Sequence, residues 1–517
     1  MKPLRRGVRH LLVAATGPLS REFERALDDP GGAQRRVRDR LARMTLRSAY
    51  GRHHGLTRPE DFRLRLPVVD HDDLAPWIAR AAAGEHGVLS PERIEAFEPT
   101  SGSSGLAKWI PYPPALRRAF TRMALLWMRD LAIADPRLGT GRFYFSVSPP
   151  VATRSRTPGG HRVGLDSDAD YLGGLLRPLL APFVVTVPGL AGLHDPVAFR
   201  RATAVALLAA RDLEALSVWN PTFLTVLLDH LESHRDDLLA DPGLALPPAT
   251  REAFSRTPLD WQAVWPELRL ISCWTDAMAA PRAAELARRL PFARLQGKGL
   301  LATEAPVTVP LVGVEGGVPL LTEVYFEFEL PDGEVLELHE LEPGMSAGLV
   351  VSQPGGLLRY RLGDQVRVVG RHRKTPTLAF EGRTSLLSDL VGEKLSEPFL
   401  RAHLRPLLPP EATLATFVPR LTPREGYLLV LDRCAGDPGP LAQALETALR
   451  GSHHYRLARD LGQLEALEVV VSPGAEQGLI RFHGRAGQRL GDIKPALLVK
   501  RPADALLLDE LGLGGAG

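Results

Sequence analysis

The stretch Thr100-Ser101-Gly102-Ser103-Ser104-Gly105-Leu106-Ala107-Lys108-Trp109-Ile110-Pro111 gathers hydroxyls, two glycines and a lysine between segments of ordinary composition. Glycine lets backbone amides turn inward, hydroxyls add donors and Lys108 adds positive charge; together these make an anion nest suited to phosphate. The segment is not a common P-loop, because Lys108 follows Gly105 at a distance and is itself followed by Trp109, where that motif needs Gly-Lys-Ser/Thr. Nor is it a serine-hydrolase elbow, since Gly102-Ser103-Ser104-Gly105 is one residue short of Gly-x-Ser-x-Gly. Taken alone, it reads as well as a Gly/Ser turn that holds nothing. Residues 113–130 have helical spacing, so the segment is expected to feed a helix whose positive end adds to the anion site.

A chain of 517 residues exceeds one compact core and implies several domains or subdomains. The content is 44% apolar and 24% charged, the balance of a globular protein. With 63 basic and 60 acidic residues the net charge is +3, so no global field calls for nucleic acid or an anionic membrane, and any anion must be bound locally. Cys273 and Cys434 stand far apart in no metal-ligand spacing, which disfavours disulfides and zinc and fits a reducing cytoplasm. No run of apolar residues reaches membrane-spanning length, and the Arg-flanked start reads as an amphipathic helix.

Up to about residue 95 the pattern is helical and arginine-rich. Asp70-His71-Asp72-Asp73 reads as a helix cap in preference to a metal site, and His53-His54 and His453-His454 read as surface loops. Short apolar runs at 141–147, 183–187, 215–219 and 268–273 read as buried strands, with helices at 197–210 and 223–234 between them. This alternation predicts an α/β architecture with a parallel or mixed sheet. From 320 the texture turns to hairpins, with runs at 321–328, 335–341, 348–352 and 357–361, so a small barrel or twisted sheet is expected there. Val391-Gly392 marks a hinge before a mixed tail with strands near 427–431 and 467–471. The expected division is a large N-terminal domain, 1–386, with a β-rich subdomain at about 320–384, and a small C-terminal domain, 387–517.

Four further segments carry candidate chemistry. Gln296-Gly297-Lys298-Gly299-Leu300-Leu301-Ala302-Thr303-Glu304 sets a hydroxyl beside a carboxylate after a glycine-rich turn. Glu304 is a candidate magnesium ligand and Thr303 a candidate phosphate contact, because nucleotide-bound magnesium takes one or two carboxylates plus phosphate oxygens. Tyr360-Arg361-Leu362-Gly363-Asp364, read as a strand end, offers a carboxylate able to accept both ribose hydroxyls, or a turn aspartate paired with Arg361. Phe380-Glu381-Gly382-Arg383-Thr384 offers Arg383 to ribose or phosphate. Gly487-Gln488-Arg489-Leu490-Gly491-Asp492-Ile493-Lys494-Pro495 places Lys494 on a glycine-rich loop; the alternative is a solvated surface lysine.

In this order the segments resemble the adenylate-forming superfamily of firefly luciferase and the acyl-CoA synthetases. More closely, the chain is similar to the auxin-responsive Gretchen Hagen family of acyl acid amido synthetases, especially its bacterial members. The resemblance runs from about residue 70 to 499. It includes Ser217-Val218-Trp219-Asn220-Pro221-Thr222-Phe223-Leu224, Ile271-Ser272-Cys273-Trp274-Thr275-Asp276 and Tyr325-Phe326-Glu327-Phe328. Where plant members commonly end a motif in Ser-Ser-Glu, this chain has Ala302-Thr303-Glu304, so plant-hormone specificity is not implied.

The resemblance implies an adenylate-forming α/β fold with a small mobile C-terminal α+β domain. It implies a reaction in two halves: a carboxylate attacks the α-phosphate of ATP, and an amine, usually of an amino acid, then displaces AMP. Thr100, Ser101, Gly102, Ser103, Ser104, Gly105, Lys108, Thr303, Asp364 and Arg383 are then expected around ATP, and Glu304 on Mg2+. Lys494 is expected at the forming acyl-phosphate bond, and Trp219, Asn220 and Trp274 near the acid. ATP and a carboxylate repel each other, so charge neutralisation and in-line placement matter more than a protein nucleophile. Two rivals remain at this level: an acyl-CoA ligase using the same first step, and a silent nucleotide-binding scaffold.

Overall fold

A computed structural model describes residues 2–100, 108–145, 156–164, 181–189, 196–241, 244–276, 279–383, 387–388, 390, 393, 395–420, 425–460, 464–485, 496–499 and 503–514. Its first part is helical, as the arginine-rich pattern predicts. Lys2–Ala15 is amphipathic and tucks Arg5 inward onto Asp212 at 2.8 Å. The helix His71–Ala82 starts at a capping box: the Asp70 carboxylate accepts from the amides of Asp72 (2.8 Å) and Asp73 (3.1 Å), and the Asp73 carboxylate accepts from that of Asp70 (2.9 Å). These bonds satisfy amides that a helix start leaves unpaired. The histidine pairs depart from expectation. His53 ends the helix Ala49–His53 and meets Trp77 edge-on at 5.1 Å, while His453 and His454 open the helix His453–Asp460.

A four-stranded parallel sheet forms from Arg142–Phe145, Leu213–Ser217, Leu270–Cys273 and Arg294–Gly297, side by side in chain order. Its two inner strands are buried throughout and mostly apolar, as strands covered on both faces are, with Glu214, Ser217 and Ser272 the polar exceptions. The helices Pro196–Leu208, Pro221–Ser233 and Ala280–Arg289 connect them and share a core with Leu216, Ile271 and Trp265. The run at 183–187 is not a strand: Ala181–Phe183 is a 3-10 turn, and only Val184 bridges to Phe143. The fourth strand, Arg294–Gly297, lacked a clear apolar signal because none of its residues is fully buried.

The β-rich part is a five-stranded antiparallel sheet in the order Val335–Glu337, Tyr325–Glu329, Ser346–Ser352, Tyr360–His372, Thr375–Arg383. The run at 335–341 gives a strand of only three residues, because Leu338–Glu340 coils into a 3-10 turn. The expected strand at 357–361 is the beginning of the 13-residue Tyr360–His372. The helix Pro30–Thr45 is fastened to this sheet by buried Gln34. Its amide donates to the carbonyls of Leu321 (3.1 Å) and Val324 (2.8 Å), and its oxygen accepts from the Phe326 amide (2.7 Å). Sheet and helix share one core containing Phe62, Phe97, Tyr325, Phe326 and Val366.

Beyond residue 390 the apolar side chains pack among themselves. Ala415–Arg420 pairs antiparallel with Gly426–Leu431, which pairs parallel with Glu468–Val471. Their two faces are covered by separate clusters, one including Leu400, Phe417, Tyr455 and Leu498, the other Val430, Leu479 and Leu507. Glu476, on the helix Ala475–Arg485, forms an ion pair with Arg282 of Ala280–Arg289.

Candidate functional site

The segment that opened the sequence reading joins two strands of a hairpin. Ala96–Thr100 pairs antiparallel with Lys108–Tyr112, so Thr100 and Lys108 face each other where the chain leaves for 101–107. Ser101, Gly102, Ser103, Ser104 and Gly105 lie outside the described residues, as do the side chains of Thr100 and Lys108. The expectation that this segment feeds a helix needs correction. Five strand residues intervene before Pro114–Ala134 begins, so the helix end lies beyond the far end of that strand. Pro111 and Pro113 explain the delay, since each disfavours helix at the residue before it.

Thr303 and Glu304 occupy the tip of a tight turn. Ala302 and Ala305 exchange backbone hydrogen bonds, both 3.2 Å, and Leu301 bridges Pro306 beneath them. Both tip residues are half-buried. The Tyr112 hydroxyl donates to the Thr303 carbonyl, which seats the turn against the strand issuing from the Gly/Ser segment. Upstream, Gly299 holds φ +65°, and a Cβ there would stand 2.3 Å from the Thr308 hydroxyl, which accepts from the Leu300 amide at 2.7 Å. Only glycine fits this corner.

Asp364 sits inside the long strand, near its beginning, where the sequence had suggested a strand end. Gly348 pairs with Gln365 but Val350 with Arg361, so extra residues are accommodated at 362–364, with Gly363 at φ +80°. Bulges of this kind re-aim side chains next to functional sites. Asp364 is buried, and its backbone partner across the ladder is Arg383, whose side chain is outside the described set. Arg361 is not its partner in a turn: that guanidinium grips Glu329 with two bonds, 2.8 and 2.7 Å. Nearby, the Phe380 amide donates to the Asp276 carboxylate at 3.3 Å, which ties this sheet to the loop after Leu270–Cys273.

Ligands of open parallel sheets bind outside the carboxyl ends of the strands. Here Trp219 follows Leu213–Ser217, Trp274 follows Leu270–Cys273, and their rings lie 5.9 Å apart. The Trp274 amide donates to the Trp219 carbonyl at 2.9 Å, and Asn220 is buried beside them at the start of Pro221–Ser233. Lys298, after Arg294–Gly297, donates to the Ser217 hydroxyl at 2.6 Å and lies 5.0 Å from the Trp219 ring and 5.9 Å from Trp127. Burial pushes the Cys273 thiol up to about 12, against a small opposing effect of the Lys298 charge, so it is an inert core group.

Lys494 lies outside the described residues. Among the described ones no group of three or more His, Cys, Asp or Glu could hold a metal; magnesium bound to a nucleotide takes one or two carboxylates beside phosphate oxygens. The half-buried Glu304 at its turn tip suits that arrangement. Lys298, Trp127, Tyr112 and Asp276 are site residues to which sequence reasoning gave no role. Lys298 had a signal in its position between two glycines at a strand end; Tyr112 and Trp127 had none beyond ordinary core aromatics. A cleft of about 320 Å³ lined by Asp135, Arg137, Arg269 and Arg294 opens at the other, amino end of the same sheet, away from these groups.

The parallel sheet, the bulged antiparallel sheet and the separate C-terminal sheet together have the fold of adenylate-forming enzymes. The chain resembles 2-hydroxyisobutyryl-CoA ligase in its postadenylation state with a TM-score of 0.52 and 15% identity, over 91% of this chain and 88% of that one. Residues 19–241 match the GH3 family N-terminal domain and residues 317–383 the GH3 family central domain, together more than half of the chain. The chain belongs to the GH3 family of acyl acid amido synthetases. It is similar to an AtGH3.15 acyl acid amido synthetase solved with 2,4-DB, with a TM-score of 0.79 and 19% identity over 96% of this chain and 95% of that one. A probable indole-3-acetic acid-amido synthetase, GH3.1 of Arabidopsis thaliana, is 27% identical over 67% of this chain, which spans 65% of that relative's length. No helix among the described residues is long and apolar enough to cross a membrane.

Proposed function

We propose that this protein is an ATP-dependent acyl acid amido synthetase that joins a carboxylic acid to the amine of an amino acid. In the first half-reaction an acid oxygen attacks the α-phosphorus of ATP, and the bond to the leaving pyrophosphate breaks. In the second, the amine attacks the acyl carbon, loses a proton, and AMP departs. One observation carries the reading: the Tyr112 hydroxyl holds the turn of Thr303 and Glu304 to the far end of the strand Lys108–Tyr112, which leads out of the Gly/Ser segment, so both candidate phosphate segments belong to one packed unit.

In this reading residues 100–105 and Lys108 hold the phosphates, Thr303 contacts one of them, Asp364 holds the ribose, Arg383 reaches ribose or phosphate, and Trp219, Asn220 and Trp274 line the acid site. Magnesium would be held by Glu304 and would neutralise phosphate charge. Lys494 supplies positive charge at the bond being made. The division at 386/387 into a large domain and a small mobile one is part of the proposal, supported by the self-contained cores beyond residue 390. So are a cytoplasmic location, supported by two free cysteines, and kinship with bacterial members, supported by Ala302-Thr303-Glu304.

The test is incubation of purified protein with magnesium ATP and pooled carboxylic acids, with amino acids or coenzyme A added separately, and identification of products by mass spectrometry. Amides with equimolar AMP support the reading. Thioesters replace it with an acyl-CoA ligase, and nucleotide binding without any product replaces it with a silent binding protein.

A further inference from the structure

The cleft at the amino end of the parallel sheet gathers three guanidinium groups, and two of them are unmatched. Arg269 stands just before the strand Leu270–Cys273, and Arg294 opens the neighbouring Arg294–Gly297. The Arg294 amide donates to the Arg269 carbonyl at 2.8 Å, so both side chains leave adjacent strands into one space of about 320 Å³. The Arg269 Nε is buried and has no hydrogen-bond partner. Glu267 stays 3.8 Å from that guanidinium and is taken by Lys2 at 2.9 Å. Arg294 feels the charge of Asp130, but that carboxylate accepts from the Val312 amide at 2.7 Å, and the Arg294 side chain makes no hydrogen bond or ion pair among the described residues. Arg137 is the matched one: it forks onto Asp135 with two bonds of 2.9 Å.

A buried N–H without a partner costs free energy, and such a group in a cleft points to an acceptor supplied from outside. A carboxylate has two oxygens, and one guanidinium fork occupies both. A phosphate group presents three, so two forks can hold it at once. Its charge near −2 at neutral pH also equals that of the two unmatched guanidiniums. Asp135 sets the upper limit on charge. The Arg137 bonds hold its carboxyl below the usual carboxylate range, with the charges of Arg137 and Arg269 adding to the effect, so an ionised group stays in the lining and repels a longer phosphate chain. Leu138 and Phe292 line the same cleft and give it an apolar side, and its volume lies at the lower end for small-molecule sites.

We propose that this cleft is a second binding site, for a small phosphate monoester: Arg269 and Arg294 hold the phosphate dianion between them, and the organic group rests against Leu138 and Phe292. Free inorganic phosphate shares the anion chemistry but leaves the apolar side of the cleft unused. The site lies at the opposite end of the sheet from Trp219, Trp274 and Lys298. It stands apart from the amido-synthetase reading, because its occupancy is measured without turnover.

The experiment is isothermal titration calorimetry on the full-length protein, with no carboxylic acid or amine present, using phenyl phosphate, inorganic phosphate and magnesium ATP as probes. Wild type is compared with Arg269→Gln, Arg294→Gln and Arg294→Lys. Phenyl phosphate should bind the wild type at one site with a Kd below about 1 mM, and about tenfold or more tighter than inorganic phosphate. Each Gln variant should weaken phenyl phosphate about tenfold or more while its affinity for magnesium ATP, which reports a folded protein, stays unchanged. Arg294→Lys should keep part of the affinity, since an ammonium keeps the charge and loses the fork. A wild-type Kd above about 1 mM, or equal affinity for inorganic phosphate, overturns the proposal. Wild-type affinity for phenyl phosphate in Gln variants that still bind ATP also overturns it. Competition locates the ligand without any variant: saturating magnesium ATP should leave phenyl phosphate binding in place, whereas displacement by ATP would put it at the nucleotide site and overturn the assignment to this cleft.

Discussion

The two sheets that border the candidate site present their polar groups in opposite ways. The parallel sheet carries Trp219, Trp274 and Lys298 just past its strand ends, outside the hydrogen-bond ladder. The antiparallel sheet carries Asp364 within a strand, at a bulge, with a buried charge network on the neighbouring ladder. In that network Arg359 grips Glu327 through two bonds, 2.9 and 3.0 Å, while Arg63 adds a third at 3.0 Å. Arg359 holds φ +50° and also donates to the carbonyls of Arg63 (2.9 Å) and Leu66 (2.7 Å). Groups past strand ends can vary without disturbing the ladder, which suits the variable partner, the acid. A group inside a ladder is fixed by its neighbours, which suits the role proposed for Asp364 toward the invariant partner, the nucleotide.

The largest effect tests that rigidity. Glu327 is fully buried between two guanidinium groups; Arg63 keeps Glu337, but Glu327→Ala leaves buried Arg359 without its carboxylate and should destabilise the fold by about 3–5 kcal/mol. Chemical denaturation would measure it, and a loss below about 1 kcal/mol would show that the network does not hold the sheet. Next comes a change expected to spare stability and abolish chemistry: Lys494→Ala should cost about 3 kcal/mol or more in the adenylation barrier. Acid-dependent pyrophosphate exchange should vanish while ATP binding stays measurable; normal exchange in that variant would remove Lys494 from the mechanism. A smaller effect is expected at the bulge. Gly363→Ala forces a side chain onto φ +80° and should cost about 1–3 kcal/mol of stability while raising the KM for ATP through displaced Asp364. If the KM for ATP is unchanged, the bulge does not aim that carboxylate at the nucleotide.

Legibility in the sequence followed the same division. The inner parallel strands were readable because Leu213–Ser217 and Leu270–Cys273 are buried at every position and mostly apolar, even though Glu214 interrupts the first. Arg294–Gly297, at the sheet edge, had no such run and went unread, although the motif beginning at Gln296 was noticed for its chemistry. The cap at Asp70 was legible because its bonds are local in sequence. Asp364 was read as a carboxylate at a strand end, whereas it is buried inside the strand, because a bulge depends on the register of the partner strand, which one strand's sequence does not encode. Lys298 was passed over for a related reason. Its partners Ser217, Trp219 and Trp127 lie 79 to 171 positions away, and no local pattern announces such a meeting.

The smallest expected effect concerns acid, to which the two sheets should respond with opposite signs. In the parallel sheet, Glu214 of the strand Leu213–Ser217 is buried and its carboxyl is raised by desolvation, only partly countered by bonds from the amides of Gly139 (2.7 Å) and Thr140 (3.2 Å). A carboxyl raised on folding makes the folded state the better proton binder, so its contribution to stability grows as pH falls toward the ordinary glutamate range. On the antiparallel sheet, the Arg361 bonds hold Glu329 below its ordinary value, so its contribution is present above the unfolded value and is lost as pH falls through the folded one. That pair is partly exposed and should be worth no more than about 1 kcal/mol. Hydrogen exchange between pH 6 and 3, corrected for intrinsic rates, should show strand Tyr325–Glu329 losing protection before the amides of Gly139 and Thr140. Glu329→Gln should remove the pH dependence of that loss and leave a constant small deficit. If both regions lose protection in parallel, the sheets unfold as one cooperative unit, and the contrast drawn between them holds for their chemistry alone.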